Sequence, residues 1–224
     1  MAEMSRDDMA IYLAEVNDRL AKADEQGEIV MIGGAVVSLV HGARESTKDM
    51  DAAFAPKELM REIIEDVAEK YEIESDWLNN AAESYMTPEM NYETFYEYSN
   101  LTIYNMDDES MLALKLSSAR GEEDSHDLAD SVYFMGELKI ESVEQALDIV
   151  EKYIPQERLT PKVEYFTREA FEKYQDEKEK QEDKDSVDKD DSTVADEPDM
   201  VDERDVAVED FDNGDYVASS DWAD

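Results

Sequence analysis

Two aspartates spaced two positions apart, Asp49 and Asp51, are the side chains of this sequence best arranged to do chemistry together. They lie in an apolar segment that is predicted to form a strand over residues 49–54, where side chains at i and i+2 point to the same face. Two neighbouring carboxylates can bind Mg²⁺ together with the phosphates of a ligand. In so acidic a chain, the alternative is a pair of solvated acids at the edge of a loop.

A glycine pair, Gly33 and Gly34, separates a predicted buried strand over 28–32 from a predicted short helix over 34–40. The backbone of a glycine-lined turn between a strand and a helix can come close to a phosphate. An ordinary tight turn is the alternative. Between the glycines and the aspartates, Arg44 and Thr47 can each contact a phosphate or brace the loop that contains them.

A lysine and an aspartate follow in the helical second half of the sequence. Lys115 shares a face with core residues of a predicted helix over 108–119, so it either extends toward solvent or meets an anion such as a phosphate. Asp127 lies in a predicted helix over 124–135. It is a candidate general base or a candidate partner that orients a lysine; the alternative is that the helix dipole simply favours an aspartate in the first turn. Asp130 is predicted to be solvated, and His41 and His126 are predicted to be surface residues.

Composition limits the kinds of protein that this chain can be. Its 224 residues carry a formal net charge of −40, of which residues 181–224 contribute −15 and the remainder −25. The lack of cysteine excludes disulfides and thiolate metal sites, and two histidines are too few for a typical zinc site. No basic stripe marks a surface for a large polynucleotide. Without a signal sequence or a membrane-spanning apolar run, the chain is predicted to be soluble, cytoplasmic and free of membrane contacts.

The patterns along the chain predict an α/β core over 1–107, a helical part over 108–179 and a disordered acidic tail over 180–224. Within the core, residues 76–85 are predicted to form a short helix anchored by Trp77, and residues 92–106 a hairpin whose tyrosines are predicted to belong to the core rather than to a base-stacking platform. Further helices are predicted over 142–153 and 162–178. The tail has too little apolar surface to offset the entropy of ordering, so it solvates the protein or binds a protein partner.

Two blocks of the sequence, taken together, resemble a known signature. A glycine pair, a spacer and an acid–apolar–acid triplet form the signature of the nucleotidyltransferase superfamily, and here they are Ile32-Gly33-Gly34 and Asp49-Met50-Asp51. Residues 111–120 and 124–130 look like its second block. Over residues 28–170 the chain is similar to a bacterial nucleotidyltransferase-like family of unassigned function. That family is related to the nucleotidyltransferase toxins of abortive-infection and type IV toxin–antitoxin systems.

The resemblance implies an α+β fold: a small mixed sheet flanked by helices, with a helical C-terminal part. It implies an enzyme that moves a nucleoside monophosphate from a nucleoside triphosphate to the hydroxyl of a tRNA or protein acceptor, with Mg²⁺ as cofactor. Asp49 and Asp51 would bind the metal and the triphosphate, which Gly33 and Gly34 would approach. The remaining catalytic roles, phosphate contact and catalytic acid, would fall to Lys115 and Asp127.

The chain also departs from this signature, which leaves a second hypothesis open. Acids occupy the positions just before Asp124, where a basic residue is common, and Glu97 is the only hairpin candidate for a third strand carboxylate. The alternative is therefore a catalytically degenerate protein with the nucleotidyltransferase fold, which holds a basic partner with its acidic surface and tail.

Overall fold

The computed structural model describes residues 3–42, 45–118 and 126–190. The helices are α1 (Arg6–Ala23), α2 (Lys57–Tyr71), α3 (Asp108–Ser118), α4 (Asp127–Glu137), α5 (Val143–Tyr153) and α6 (Pro161–Asp190). The strands are β1 (Met4–Ser5), β2 (Gly27–Met31), β3 (Ser46–Thr47), β4 (Met50–Ala55), β5 (Leu78–Asn79), β6 (Tyr92–Glu97) and β7 (Leu101–Met106). A π-helix (Val36–Val40) follows β2, and short 3₁₀ helices cover Ala81–Tyr85 and Gln156–Arg158.

The central sheet has five strands in the order β5-β4-β2-β7-β6. Strand β2 runs parallel to β7 and antiparallel to β4. The end of β2, the start of β4 and the end of β7 therefore meet at one edge of the sheet. This mixed sheet, flanked by helices, confirms the predicted α+β fold.

The two faces of the sheet differ in burial, because side chains alternate along each strand. In β4, Met50, Ala52 and Phe54 are buried and belong to the hydrophobic core. Strands β7 and β4 also contact α1 and α2. The opposite face, here called the open face, carries half-buried and exposed side chains, in register across the strands: Glu28, Val30, Asp51, Ala53, Thr94, Thr102 and Tyr104.

The predicted helix over 76–85 is wrong. Leu78–Asn79 forms strand β5, which pairs in parallel with the start of β4, and the 3₁₀ helix follows it. The Met50 amide donates to the Trp77 carbonyl at 2.7 Å, so pairing at the edge of the sheet overrides the local helical pattern. Trp77 is a buried anchor as predicted, and its indole nitrogen donates to the Ile64 carbonyl at 3.2 Å.

The hairpin predicted over 92–106 is confirmed as β6 and β7, but its tyrosines divide between two environments. A bulge between Thr94 and Tyr96 shifts the register, so that Tyr96 and Tyr98 pack against the hydrophobic core. Tyr92 is 53% exposed and Tyr104 lies on the open face, so the prediction that the tyrosines belong to the core is wrong for these two residues. The bulge divides the tyrosines of β6 between the two faces, and no sequence pattern predicts it.

The sheet and the helices α3, α4 and α5 share one hydrophobic core within a compact unit that extends to Asp176. A second unit begins at Glu177. Helix α6 continues to Asp190, beyond the predicted end at residue 178, because glutamate, lysine and glutamine after that point are strong helix formers. The rest of the predicted tail, residues 191–224, lies outside the described residues. Within the described part, none of the helices is long and apolar enough to cross a membrane.

Candidate functional site

The glycine turn and the start of β4 lie side by side at the edge of the sheet. Met31 at the end of β2 is in register with Ala52, and the Ile32 amide donates to the Asp51 carbonyl at 2.9 Å. Residues 33 and 51 are therefore neighbours in space, although 17 positions intervene between them in the sequence. Strand pairing thus brings together the glycines and the aspartate that the sequence pattern predicts to cooperate.

Gly33 is held in a conformation that favours glycine, directly against the Asp51 carboxylate. Its φ is +67°, in the left-handed region, and a Cβ atom added at this position would lie 3.3 Å from Asp51 Oδ2. Gly34 and Ala35 continue into the helical segment that follows. We call Gly33 and Asp51 the sheet-edge pair. A side chain at position 33 would press on this carboxylate.

The helix after the glycines is a π-helix, a rare form that is often found at functional sites. The His41 amide closes the wide turn by donating to the Val36 carbonyl at 3.3 Å. Val36, Val37 and Leu39 are buried, so the core fixes this segment and with it the position of the glycine turn.

Asp49 directly precedes β4 and is exposed, while Asp51 lies in the strand and is half-buried. The buried Met50 lies between them, so both aspartates alternate away from the core as the i, i+2 spacing predicts. Thr47 is buried, and its hydroxyl donates to the Asp49 carbonyl at 3.0 Å. The hydroxyl therefore braces the turn that presents Asp49, which is the structural alternative predicted for this residue. Arg44 lies outside the described residues.

Lys115 is enclosed by two carboxylates of α4, in what we call the helix cluster. Its ammonium nitrogen lies 3.1 Å from Asp127 Oδ1 and 2.8 Å from Asp130 Oδ2. The Lys115 side chain is 12% exposed and that of Asp130 only 3%. The prediction that Asp130 is solvated is wrong, because α4 packs on α3 and turns two carboxylates three positions apart toward the same lysine.

His41 is not the surface residue that we predicted. Its Nε2 lies 3.1 Å from Asp108 Oδ1 at the start of α3, and its ring makes edge contacts with Tyr133 and Phe134 of α4. Burial raises the pKa of Asp108, and the nearby His41 opposes that shift. The π-helix carries His41 into this position, which no local sequence signal could have shown. His126 is exposed, as predicted.

The structure therefore sorts the predicted site residues into two groups. Strand pairing joins Gly33 to Asp51, and helix packing joins Lys115 to Asp127. The π-helix that follows the glycine turn ends at His41, which contacts Asp108 of α3 and the rings of Tyr133 and Phe134 of α4. The catalytic and phosphate-binding roles of these residues stay predictions. Asp130, His41 and Asp108 are the members of this region that the sequence pattern missed.

At the sheet edge, Asp49 and Asp51 offer carboxylate oxygens, the type of ligand that Mg²⁺ prefers. Within the described ranges, no group of three or more histidine, cysteine, aspartate or glutamate side chains could hold a metal ion. A metal there would take the carboxylates of Asp49 and Asp51, with ligand phosphates and water completing its shell. Mg²⁺ in nucleotide sites is usually bound by one or two carboxylates together with phosphates and water, and at position 33 there is no side chain to press on Asp51 Oδ2.

Comparison with known proteins identifies the family of this chain. No curated protein and no solved structure matches the chain. Residues 9–180 match a family described as nucleotidyltransferase of unknown function (DUF6036), a region that includes the sheet-edge pair and the helix cluster. The chain belongs to this nucleotidyltransferase family.

Proposed function

We propose that the protein is a magnesium-dependent nucleotidyltransferase that moves a nucleoside monophosphate from a nucleoside triphosphate to an acceptor hydroxyl. One observation carries the proposal: Gly33, in a left-handed conformation, seats its backbone against the Asp51 carboxylate at the edge of the sheet. A glycine adopts this positive φ without strain, and its missing side chain lets the backbone lie close to the half-buried acid, as a turn that receives a phosphate requires. The family match supports the same reaction class.

The reaction needs few groups from the protein. The acceptor oxygen attacks the α-phosphorus in line, the bond from that phosphorus to the bridging oxygen breaks, and pyrophosphate leaves with the electron pair. When bound, magnesium would offset the negative charge of the phosphate oxygens. Asp49 and Asp51 would hold that ion at the edge of the sheet beside the glycine turn, and the proton of the acceptor hydroxyl passes to water.

Labelled nucleotides test this proposal directly. The protein is incubated with Mg²⁺, a cell extract and each nucleoside triphosphate, labelled either at the α- or at the γ-phosphate. Transfer of the α-label alone is the expected result, because the γ-phosphate leaves in pyrophosphate. A double variant, Asp49→Ala with Asp51→Ala, serves as the comparison. Equal labelling by this variant and the wild type, or no labelling by either, would contradict the catalytic proposal and favour a degenerate binding protein.

The charge of the chain favours a protein acceptor over tRNA. A net charge of −40 repels a polyanion, and the open face next to Asp51 carries the exposed Glu28. We therefore expect the labelled product to be destroyed by protease and to survive ribonuclease. The opposite sensitivity would make tRNA the acceptor. A toxin–antitoxin role stays a prediction.

Alanine at Gly33 should impair the enzyme, whereas alanine at Gly42 should only destabilise it. Both glycines have positive φ, +67° and +63°, so each substitution should lower the free energy of unfolding by about 1 kcal/mol. A Cβ atom at position 42 meets nothing within 4 Å, whereas one at position 33 presses on Asp51. Urea denaturation and the labelling assay measure the two effects. We expect similar stability losses and a transfer rate about tenfold lower for Gly33→Ala alone; equal rates for both variants would remove Gly33 from the site.

A further inference from the structure

An aromatic pair lies on the open face of the sheet, away from the core. Tyr92 of β6 and Tyr104 of β7 have ring centroids 5.3 Å apart at an interplanar angle of 70°. Tyr104 is in register with Thr94, two residues after Tyr92, so the two tyrosines share this face. The Tyr92 side chain is 53% exposed. The function proposed above does not use this pair.

The same face carries Asp51, and the register fixes how far the tyrosines are from it. Val30 of β2 is in register with Tyr104 on one side and Ala53 on the other. Asp51 is two residues before Ala53, so the Cα atoms of Asp51 and Tyr104 are two strands and two residues apart, about 12 Å. One nucleoside triphosphate can span this distance from its phosphates to its base. The small side chains of Val30 and Ala53 form the floor between the two ends.

The charged side chains around Tyr104 determine which part of a nucleotide suits the tyrosine end of this face. Glu28 and Glu97 are both exposed, and both are in register with Thr102, which lies two residues before Tyr104 on the same face of β7. These carboxylates repel phosphate from the tyrosine end, while Asp49 and Asp51 can accept phosphate only together with a cation. Burial and the nearby Glu28 raise the pKa of Tyr104, so its ring remains a neutral phenol near pH 7. A neutral planar group suits this end better than an anion.

We infer that Tyr92 and Tyr104 form the platform on which the base of the bound nucleotide stacks, while its phosphates lie at the sheet-edge pair. The inference rests on the proposed function and adds its base subsite. Every base has a π face, so stacking alone tolerates all four bases. The aromatic pair therefore contributes affinity for the nucleoside part of the ligand. Binding of the phosphates does not depend on the two tyrosines.

Two ligands separate this inference from the proposed function. Binding of ATP and of inorganic tripolyphosphate, each with Mg²⁺, is measured by calorimetry for the full chain. Tyr104→Val and Tyr92→Ser should each weaken ATP binding about tenfold and leave tripolyphosphate binding unchanged. Tyr165, which is 72% exposed on α6, provides the control Tyr165→Leu, and this variant should bind both ligands like the wild type. Saturation-transfer NMR should show contact from protein to the base protons in the wild type and its loss in Tyr92→Ser.

Each outcome decides the matter. Unchanged ATP affinity in both tyrosine variants would overturn the platform and leave the phosphate site standing. Equal loss of ATP and tripolyphosphate binding would also overturn it, since the effect would then lie at the phosphate end or in the fold. If the wild type binds neither ligand, the proposed function fails, and the base subsite fails with it. Tyr92→Ser keeps the test valid if Tyr104→Val does not fold, because Tyr92 is the more exposed ring.

Discussion

Replacing Asp51 with asparagine is expected to lower the rate of nucleotidyl transfer by about a thousandfold. The substitution keeps the shape of the side chain and removes its negative charge. The Asp51 carboxylate lies against Gly33 at the edge of the sheet, where it is half-buried and its charge is less screened than on the surface. An amide there cannot bind the cation on which the phosphates depend. Asp49→Asn should lower the transfer rate less than Asp51→Asn, because Asp49 is exposed and water can take over part of its role.

A matched substitution distinguishes a lost site from a weakened fold. Asp148 is an exposed aspartate on α5, and Asp148→Asn should leave both transfer and stability unchanged. The rate is measured with saturating nucleotide and Mg²⁺, and the midpoint of urea unfolding is measured on the same preparations. We expect Asp51→Asn to unfold near the wild-type midpoint. If it transfers label at more than a tenth of the wild-type rate, Asp51 is not the metal-binding acid.

The residues of the sheet-edge pair could be predicted from sequence because short-range patterns identify both of them. The i, i+2 spacing of Asp49 and Asp51 in a strand fixes their common side whatever surrounds them. The glycine pair marks a sharp change from strand to helix, and Gly33 does adopt a positive φ. What the spacing could not show is the contact itself, since that depends on β4 pairing with β2 in one register.

The errors lie where a distant part of the chain decides the environment of a residue. Asp130 looked solvated because its own helix is polar there, yet α3 covers it and supplies Lys115. His41 follows an apolar run and precedes a glycine, a pattern typical of a surface turn, but the π-helix turns it toward Asp108. Residues 76–85 have a helical pattern, but Leu78 and Asn79 pair with the start of β4 and form strand β5. Local patterns carry no information about such pairings.

Replacing Lys115 with methionine is expected to lower the free energy of unfolding by about 3 kcal/mol. Methionine preserves the length and apolar body of the side chain and removes the ammonium group. The carboxylates of Asp127 and Asp130, 19% and 3% exposed, would then lose the ammonium group that they share. Breaking a buried ion pair by removing one partner is costly, because the remaining charge stays desolvated. Equilibrium unfolding in urea, followed by circular dichroism, measures the loss.

A second substitution tests whether the loss of stability comes from the carboxylates of Asp127 and Asp130. The double variant Lys115→Met with Asp130→Asn should be more stable than Lys115→Met alone, because it removes one of the two carboxylate charges that have lost the ammonium group. Lys70 provides the control: it pairs with Glu15 at 2.6 Å, but its side chain is 47% exposed, so Lys70→Met should cause a much smaller loss. Equal losses for the two lysines would mean that the helix cluster is solvated. Lys115→Arg keeps the charge between the carboxylates, so a stable arginine variant that no longer transfers nucleotide would show that Lys115 also serves the phosphates, as the sequence pattern predicts.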